Sequence, residues 1–170
     1  DYYYVNKSSL PKVYGGFNTS LSWKGFDLSA IFAYSIGGYI YNRDITMILH
    51  NGSLEGRAWS TEILRRWTPD NRYTDVPALS TTSNNWNSAS TRFLQNNSYM
   101  RLKNLTLSYN LPKPWVSKLA LSSVQVYVQG DNLFTIHRNQ GLDPEQGITG
   151  ITYYRYPAMR TISGGINVSF

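Results

Sequence analysis

The stretch Arg160–Phe170, RTISGGINVSF, decides how the rest of the chain is read. Ile162, Gly164, Ile166, Val168 and Phe170 occupy alternate positions, with Ser163, Gly165, Asn167 and Ser169 between them. Successive side chains of an extended strand point to opposite sides, so this spacing predicts one apolar face and one small polar face. An alternating strand ending in an aromatic is the form in which outer-membrane β-barrels present their closing strand for assembly. Ile162, Ile166, Val168 and Phe170 are the candidate residues for that role. An ordinary amphipathic strand ending in phenylalanine fits the same residues, so the choice rests on what lies upstream.

Four more segments alternate in the same way. Val13, Gly15, Phe17, Thr19, Leu21 and Trp23 share one side of a first strand, opposite Tyr14, Gly16, Asn18, Ser20 and Ser22. After a tight turn at Lys24-Gly25, alternation resumes with Phe26, Leu28, Ala30, Phe32, Tyr34 and Ile36, which reads as a hairpin over 13–36. In a third strand Leu105, Leu107, Tyr109 and Leu111 lie opposite Thr106, Ser108 and Asn110, but the apolar phase slips to Met100 and Leu102 near its start. A β-bulge near Lys103-Asn104 accounts for the slip, as does departure of the strand from the membrane there. A fourth strand sets Val124, Val126, Val128 and Gly130 opposite Gln125, Tyr127, Gln129 and Asp131.

The connections alternate in length. Strands one and two meet at a tight turn, and strands three and four are joined through 111–121 around Pro112 and Pro114. The segments 37–97 and 135–158 are much longer. Short periplasmic turns alternating with long extracellular loops are the pattern of an up-and-down outer-membrane barrel. With strand 159–170 running toward the periplasm, segments 1–12, 37–97 and 135–158 are expected outside the cell. The long loop is expected to fold over the barrel mouth. Ser53 is placed to cap a short helix near 54–67, with Leu54, Ala58, Trp59, Ile63, Leu64 and Trp67 as its apolar stripe and Pro69 ending it.

Composition agrees with a barrel wall. Charged residues are 15% of the chain, against roughly 25% in soluble domains. Aromatics are also 15%, including 14 Tyr and 5 Trp. Mean hydropathy is −0.38, and no run reaches the roughly 18 apolar residues of a transmembrane helix. A β-strand crosses a membrane in about 9–11 residues with only one apolar face, so neither fact opposes a barrel. The absence of cysteine excludes disulfides and thiolate metal sites. The net charge of +6 is spread along the chain, which argues for a solvated surface and against nucleic-acid binding.

A soluble carbohydrate-binding β-sandwich, secreted and rich in aromatics, would show the same alternation. Loop asymmetry favours the all-β membrane barrel. Five strands cannot close one, and an open sheet in lipid leaves backbone groups unsatisfied. The remaining strands are therefore expected on a portion outside this chain, of which these five form the C-terminal end.

The same residues resemble the C-terminal part of the SusC/RagA-like TonB-dependent outer-membrane transporters, over nearly the whole chain. RWTPDNRYTDVPAL (66–79) is similar to the family's loop after its RW-T-P motif, and RFLQNNSYMRLKNLTLSYNLP (92–112) to its most specific strand block. VQVYVQGDNLFTI (124–136), GLDPE (141–145) and YPAMRTISGGINVSF (156–170) match three further blocks in order. The resemblance implies a 22-stranded barrel in the outer membrane of a Gram-negative bacterium, surrounded by lipid and filled by a plug. It also implies a TonB complex acting through the missing N-terminal part, and a SusD-like surface lipoprotein closing over the mouth. The implied function is import of glycans or peptides without bond-making, so no catalytic residue, cofactor or metal is expected.

Candidate substrate contacts are the loop residues Tyr39, Tyr41, Asn84, Asn85 and Trp86, because aromatic faces stack on sugars or peptide side chains and amides bond hydroxyls or backbone. Packing within the loop would use the same groups. Arg101 and Lys103 are expected to face lumen water or carboxylates. Asp143 and Glu145 are too few for a calcium site and read as loop-fixing. His50 and His137 lack metal-ligand spacing, and no nucleophile elbow or phosphate loop is present.

Overall fold

A computed structural model describes residues 3–50, 52, 54, 56–80, 82, 88–139 and 141–170. The chain divides into two compact units. One comprises 1–10, 39–96 and 146–155, the other 11–38, 97–145 and 156–170.

The second unit is a five-stranded antiparallel sheet. Its strands are β1 (Val13–Trp23), β2 (Phe26–Ile36), β5 (Tyr99–Asn110), β6 (Ser123–His137) and β8 (Thr161–Ser169), in the spatial order β1-β2-β5-β6-β8. The mostly β-sheet, antiparallel class expected from the alternation is thus the class observed. β1 and β2 pair without interruption from Val13↔Ile36 to Trp23↔Phe26. The turn between them is Lys24-Gly25, with φ of 48° and 89°. Positive φ at both central residues is the type I′ geometry whose twist matches the flanking strands. Between β5 and β6 the chain makes the short helix α2 (Lys113–Val116), with proline in its first turn, and a single 3-10 turn.

Register carries the apolar positions of all five strands onto one side. Leu21↔Leu28, Leu28↔Leu107, Leu107↔Val128 and Val128↔Gly164 form one row across the sheet. Phe26, Tyr109, Val126 and Ile166 form the next. Phe17 stacks on Phe32 with centroids 4.7 Å apart, and Phe26 lies 4.5 Å from Tyr109. Such cross-strand aromatic pairs contribute about 0.2–1 kcal/mol each.

The slip in β5 is a graded irregularity spanning three strands. No residue separates Ile31 from Phe32 on β2. One, Lys103, separates their partners Asn104 and Leu102 on β5, and two, Asn132 and Leu133, separate Asp131 from Phe134 on β6. Asn132 absorbs the extra length with a left-handed φ of 52°. The bulge brings Leu102 and Met100 back to the side occupied by Leu105 and Leu107, although they are out of phase in sequence.

The first unit holds a smaller sheet in the order β4-β3-β7, formed by β4 (Leu94–Asn96), β3 (Tyr39–Asn42) and β7 (Ile151–Thr152). Ile40, Asn42 and Thr152 are fully buried in it. β3 runs into helix α1 (Arg43–Ile48), which Asn42 caps through a 3.0 Å bond to the Ile45 N–H. Among the described residues of 54–67 the expected helix is not formed. Gly56 takes a φ of +71°, which a right-handed helix cannot contain, and only a 3-10 turn, Thr61–Arg65, follows. Its cap is Ser60, bonded to the Glu62 N–H, whereas Ser53 lies outside the described residues. Ile63 is buried but Leu64 is 73% exposed, so the anticipated stripe has no common packing surface.

Gly25→Ala is expected to destabilise the sheet by about 1 kcal/mol, since its φ is positive and a Cβ there would meet the Tyr109 ring at 3.2 Å. Urea unfolding of the full-length protein checks it; an unchanged midpoint would contradict the I′ turn.

Candidate functional site

The side of the sheet opposite the apolar rows is a field of hydrogen-bonded polar side chains. Ser22 and Asn110 both donate to Asp27, at 2.5 and 2.7 Å. Asn104 donates to Asp131 at 2.7 Å and Thr106 donates to Asn104 at 2.9 Å. Asn167 donates to Gln125 at 3.1 Å, and Gln125 to Ser108 at 3.3 Å. Each strand contributes, because each places its Ser, Thr, Asn, Gln or Asp at alternate positions. Such a face offers a polar solute both donors and acceptors.

At the bulge end, the same face carries an ion cluster. Arg101 is buried and donates to Asp143 at 2.5 Å, Glu145 at 2.7 Å and the Thr135 hydroxyl at 2.8 Å. Lys103, the bulge residue, reaches Glu145 at 2.6 Å. Asp143 also accepts from the backbone N–H groups of Glu145 (2.9 Å) and Ala158 (2.6 Å). Burial pushes the Asp143 carboxyl up, but these two N–H groups and the Arg101 guanidinium outweigh it and hold the group below its ordinary value. Nearby, Asn97 donates to the Pro144 carbonyl at 2.9 Å and accepts from Asn139 at 2.6 Å. The two cations and two carboxylates noted separately in sequence are therefore one network. Among the described residues no group of three or more His, Cys, Asp or Glu could hold a metal ion.

In the first unit, Tyr39 and Tyr41 lie two apart on β3 and are half-buried. Lys7 sits 4.7 Å over the Tyr39 ring, while Tyr41 meets Phe93 edge-on at 6.2 Å. Burial raises the Tyr41 phenol, against the opposing effects of a backbone hydrogen bond at Ser90 and the nearby Arg43. The other candidate contacts, Asn84, Asn85 and Trp86, lie outside the described residues. Sequence reading passed over a cavity of about 560 Å³ lined by Asp44, Met47, Ile48, Arg57, Ala58 and Tyr154. Asp44 accepts the Tyr154 N–H at 3.0 Å, and Tyr154 holds a left-handed φ of 48°. Arg43 lies 4.7 Å over the neighbouring Tyr153 ring. The pair Tyr153-Tyr154 in a long loop was the available signal.

Comparison with known proteins agrees with this geometry. The chain is 37% identical over 167 residues to TonB-dependent receptor P3 of Formosa agariphila, covering 91% of this chain and 16% of the relative. It is 26% identical over 171 residues to TonB-dependent receptor SusC of Bacteroides thetaiotaomicron, covering 98% and 16%. Solved structures of the RagAB peptide importer superpose with TM-scores of 0.83 in the closed-closed state and 0.85 in the open-open state. Both are 35% identical and cover 98% of this chain and 18% of the solved one. No family model matches. Over nearly its whole length the chain is similar to SusC/RagA-like TonB-dependent receptors, and it spans about a sixth of the length of the curated relatives it matches.

Arg101→Met, which strands the buried Asp143 carboxylate, is expected to cost about 3 kcal/mol. Asp143 has its folded pKa below the unfolded value, so its contribution is complete above the ordinary carboxylate pKa of about 3.9 and is lost as pH falls through the folded value. The difference in melting temperature between the unaltered receptor and Asp143→Asn should therefore be constant near neutrality and vanish in strong acid.

Proposed function

We propose that this chain is the C-terminal wall of an outer-membrane importer that takes up glycans or peptides in a Gram-negative bacterium. The observation that carries the reading is the exposure of the apolar rows beside a polar face whose side chains are bonded to one another. Leu21 is 67%, Ile162 71% and Ile166 65% exposed. A sheet in a soluble sandwich buries such rows against a second layer, whereas a barrel wall gives them to lipid and its polar side to the lumen. That contrast counts against the secreted carbohydrate-binding sandwich. Among the described residues no helix is long and apolar enough to cross a membrane, which leaves crossing by strands untouched.

In this reading the strands not in this chain complete a barrel of the family's 22, and the segments 1–12, 37–97 and 135–158 face outward. A SusD-like lipoprotein covers the mouth, and TonB acts on a plug carried elsewhere in the receptor. RagAB, a peptide importer by name, and SusC are the relatives that support import. Transport makes no bond, so the chain supplies contacts and no catalytic residue. Tyr39, Tyr41, Asn84, Asn85 and Trp86 are the proposed substrate contacts, with Tyr39 and Tyr41 presented by β3.

Cell fractionation and substrate uptake with the full-length receptor test the proposal. The receptor is expected in the outer-membrane fraction, with a lipoprotein co-purifying in detergent and uptake lost on its deletion. Tyr39→Ala with Tyr41→Ala is expected to weaken substrate binding by about tenfold, the effect of losing a moderately important contact of about 1.4 kcal/mol. A receptor soluble without detergent would overturn the reading.

A further inference from the structure

Strand alternation fixes which side of β8 is apolar, but not where along β6 the strand stops. A slip of one residue would exchange the faces. A slip of two would preserve them, because Ile162, Gly164, Ile166 and Val168 would all stay on the apolar side. The centre of the strand, Ser163-Gly164-Gly165, has little side chain with which to resist. The register Val126↔Ile166 and Tyr127↔Gly165 therefore needs features that do not repeat every two residues.

Two are present. Tyr127 lies directly over Gly165: a Cβ on residue 165 would sit 2.7 Å from the Tyr127 hydroxyl and 2.8 Å from Cζ. A two-residue slip in either direction would put Asn167 or Ser163 opposite this ring in place of glycine. The second feature holds the chain just before β8 begins. Asp143 accepts the Ala158 N–H at 2.6 Å, and the Asn132 amide donates to the Met159 carbonyl at 3.2 Å. Both anchors are fixed from outside β8. Asn132 belongs to the bulge on β6, and Asp143 is held by buried Arg101.

We infer that Tyr127 and Asp143 are register-setting residues, which lock the last strand of this chain onto β6 against slips that hydrophobic alternation permits. The role is positional and assigns no substrate contact. It goes beyond the importer reading and rests on it only for the membrane in which it is assayed. It also gives the ion cluster a task that simple loop-fixing would not require, since Asp143 spends one of its bonds on the backbone entering β8.

The test places cysteine pairs on the polar face of the full-length receptor, after replacement of any cysteines elsewhere in it. Gln125→Cys with Asn167→Cys reports the observed register. Gln125→Cys with Ser169→Cys, and Gln129→Cys with Thr161→Cys, report two-residue slips in the two directions. With both locks intact only the first pair should crosslink. In Tyr127→Ala/Asp143→Ala, crosslinking of a slipped pair is expected to rise by about tenfold, as for loss of a charge-assisted hydrogen bond. If that variant does not accumulate, Tyr127→Ala alone serves, since it leaves Arg101 paired; slipped crosslinking should again rise. An unchanged pattern in the variant that accumulates overturns the inference. Failure of the Gln125/Asn167 pair to crosslink in otherwise unaltered receptor located in the outer membrane overturns it too, and spares the importer reading. The expected crosslinks in a receptor found outside that membrane would do the reverse.

Discussion

The larger unit depends on keeping one side of five strands apolar through a break in their register. Alternation has a period of two, so any single inserted residue transfers all later side chains to the other face. β5 contains such an insertion at Lys103, and its sequence is already out of phase on the far side of it, at Met100 and Leu102. The insertion and the phase change cancel. β6 meets the same level with two residues, one in the left-handed region, and keeps Phe134 and Ile136 level with Leu102 and Met100. The bulge also sends Lys103 to Glu145, so one local device maintains the apolar side and supplies the polar side with a second cation.

The two sides make different demands on their surroundings. The polar side satisfies many of its groups internally, through Asp27, Asp131, Asn104 and Gln125. The apolar side has only neighbouring rows and leaves Leu21, Ile162 and Ile166 open. Water would penalise that side at about 25 cal/mol per Å², and lipid would not. β1 and β8 each pair with one neighbour, so their outer edges need strands from elsewhere in the receptor if they lie in lipid.

What sequence reading recovered follows from how each feature is encoded. The five long strands repeat a two-residue signal over nine or more positions, so they are legible without partners. The bulge was legible because it breaks that signal. β3, β4 and β7 have four, three and two residues, too few to establish a period, and exist only through each other. The stripe over 54–67 misled because helical spacing of Leu54, Ala58 and Ile63 says nothing about Gly56, whose positive φ stops a helix. Arg101 and Asp143 stand 42 positions apart, and the sequence suggests lumen water or carboxylates for the first and a loop-fixing role for the second, without joining them. Their pairing is set by register and loop path, which no local pattern contains. The cavity around Asp44 and Tyr154 is likewise assembled by bringing Tyr154 to the distant segments that hold Asp44 and Arg57.

The larger unit fastens its chain at the points where residues of the smaller unit are inserted. The Lys12 N–H donates to the Ile36 carbonyl, the Asn97 N–H to the Gly38 carbonyl and the Gly37 N–H to the Ser98 hydroxyl. Asp143 and Ala158 fasten the other insertion, and Asn97 links the two fastenings through the Pro144 carbonyl. Within the larger unit, the ends of both insertions are thus held by its own bonds. Loop length and composition can then change while strand register is preserved, because closure of each neck does not depend on what lies beyond it. On the importer reading proposed above, this arrangement lets one wall carry different loops, and it separates the proposed contacts Tyr39 and Tyr41, in the smaller unit, from the residues that determine the sheet.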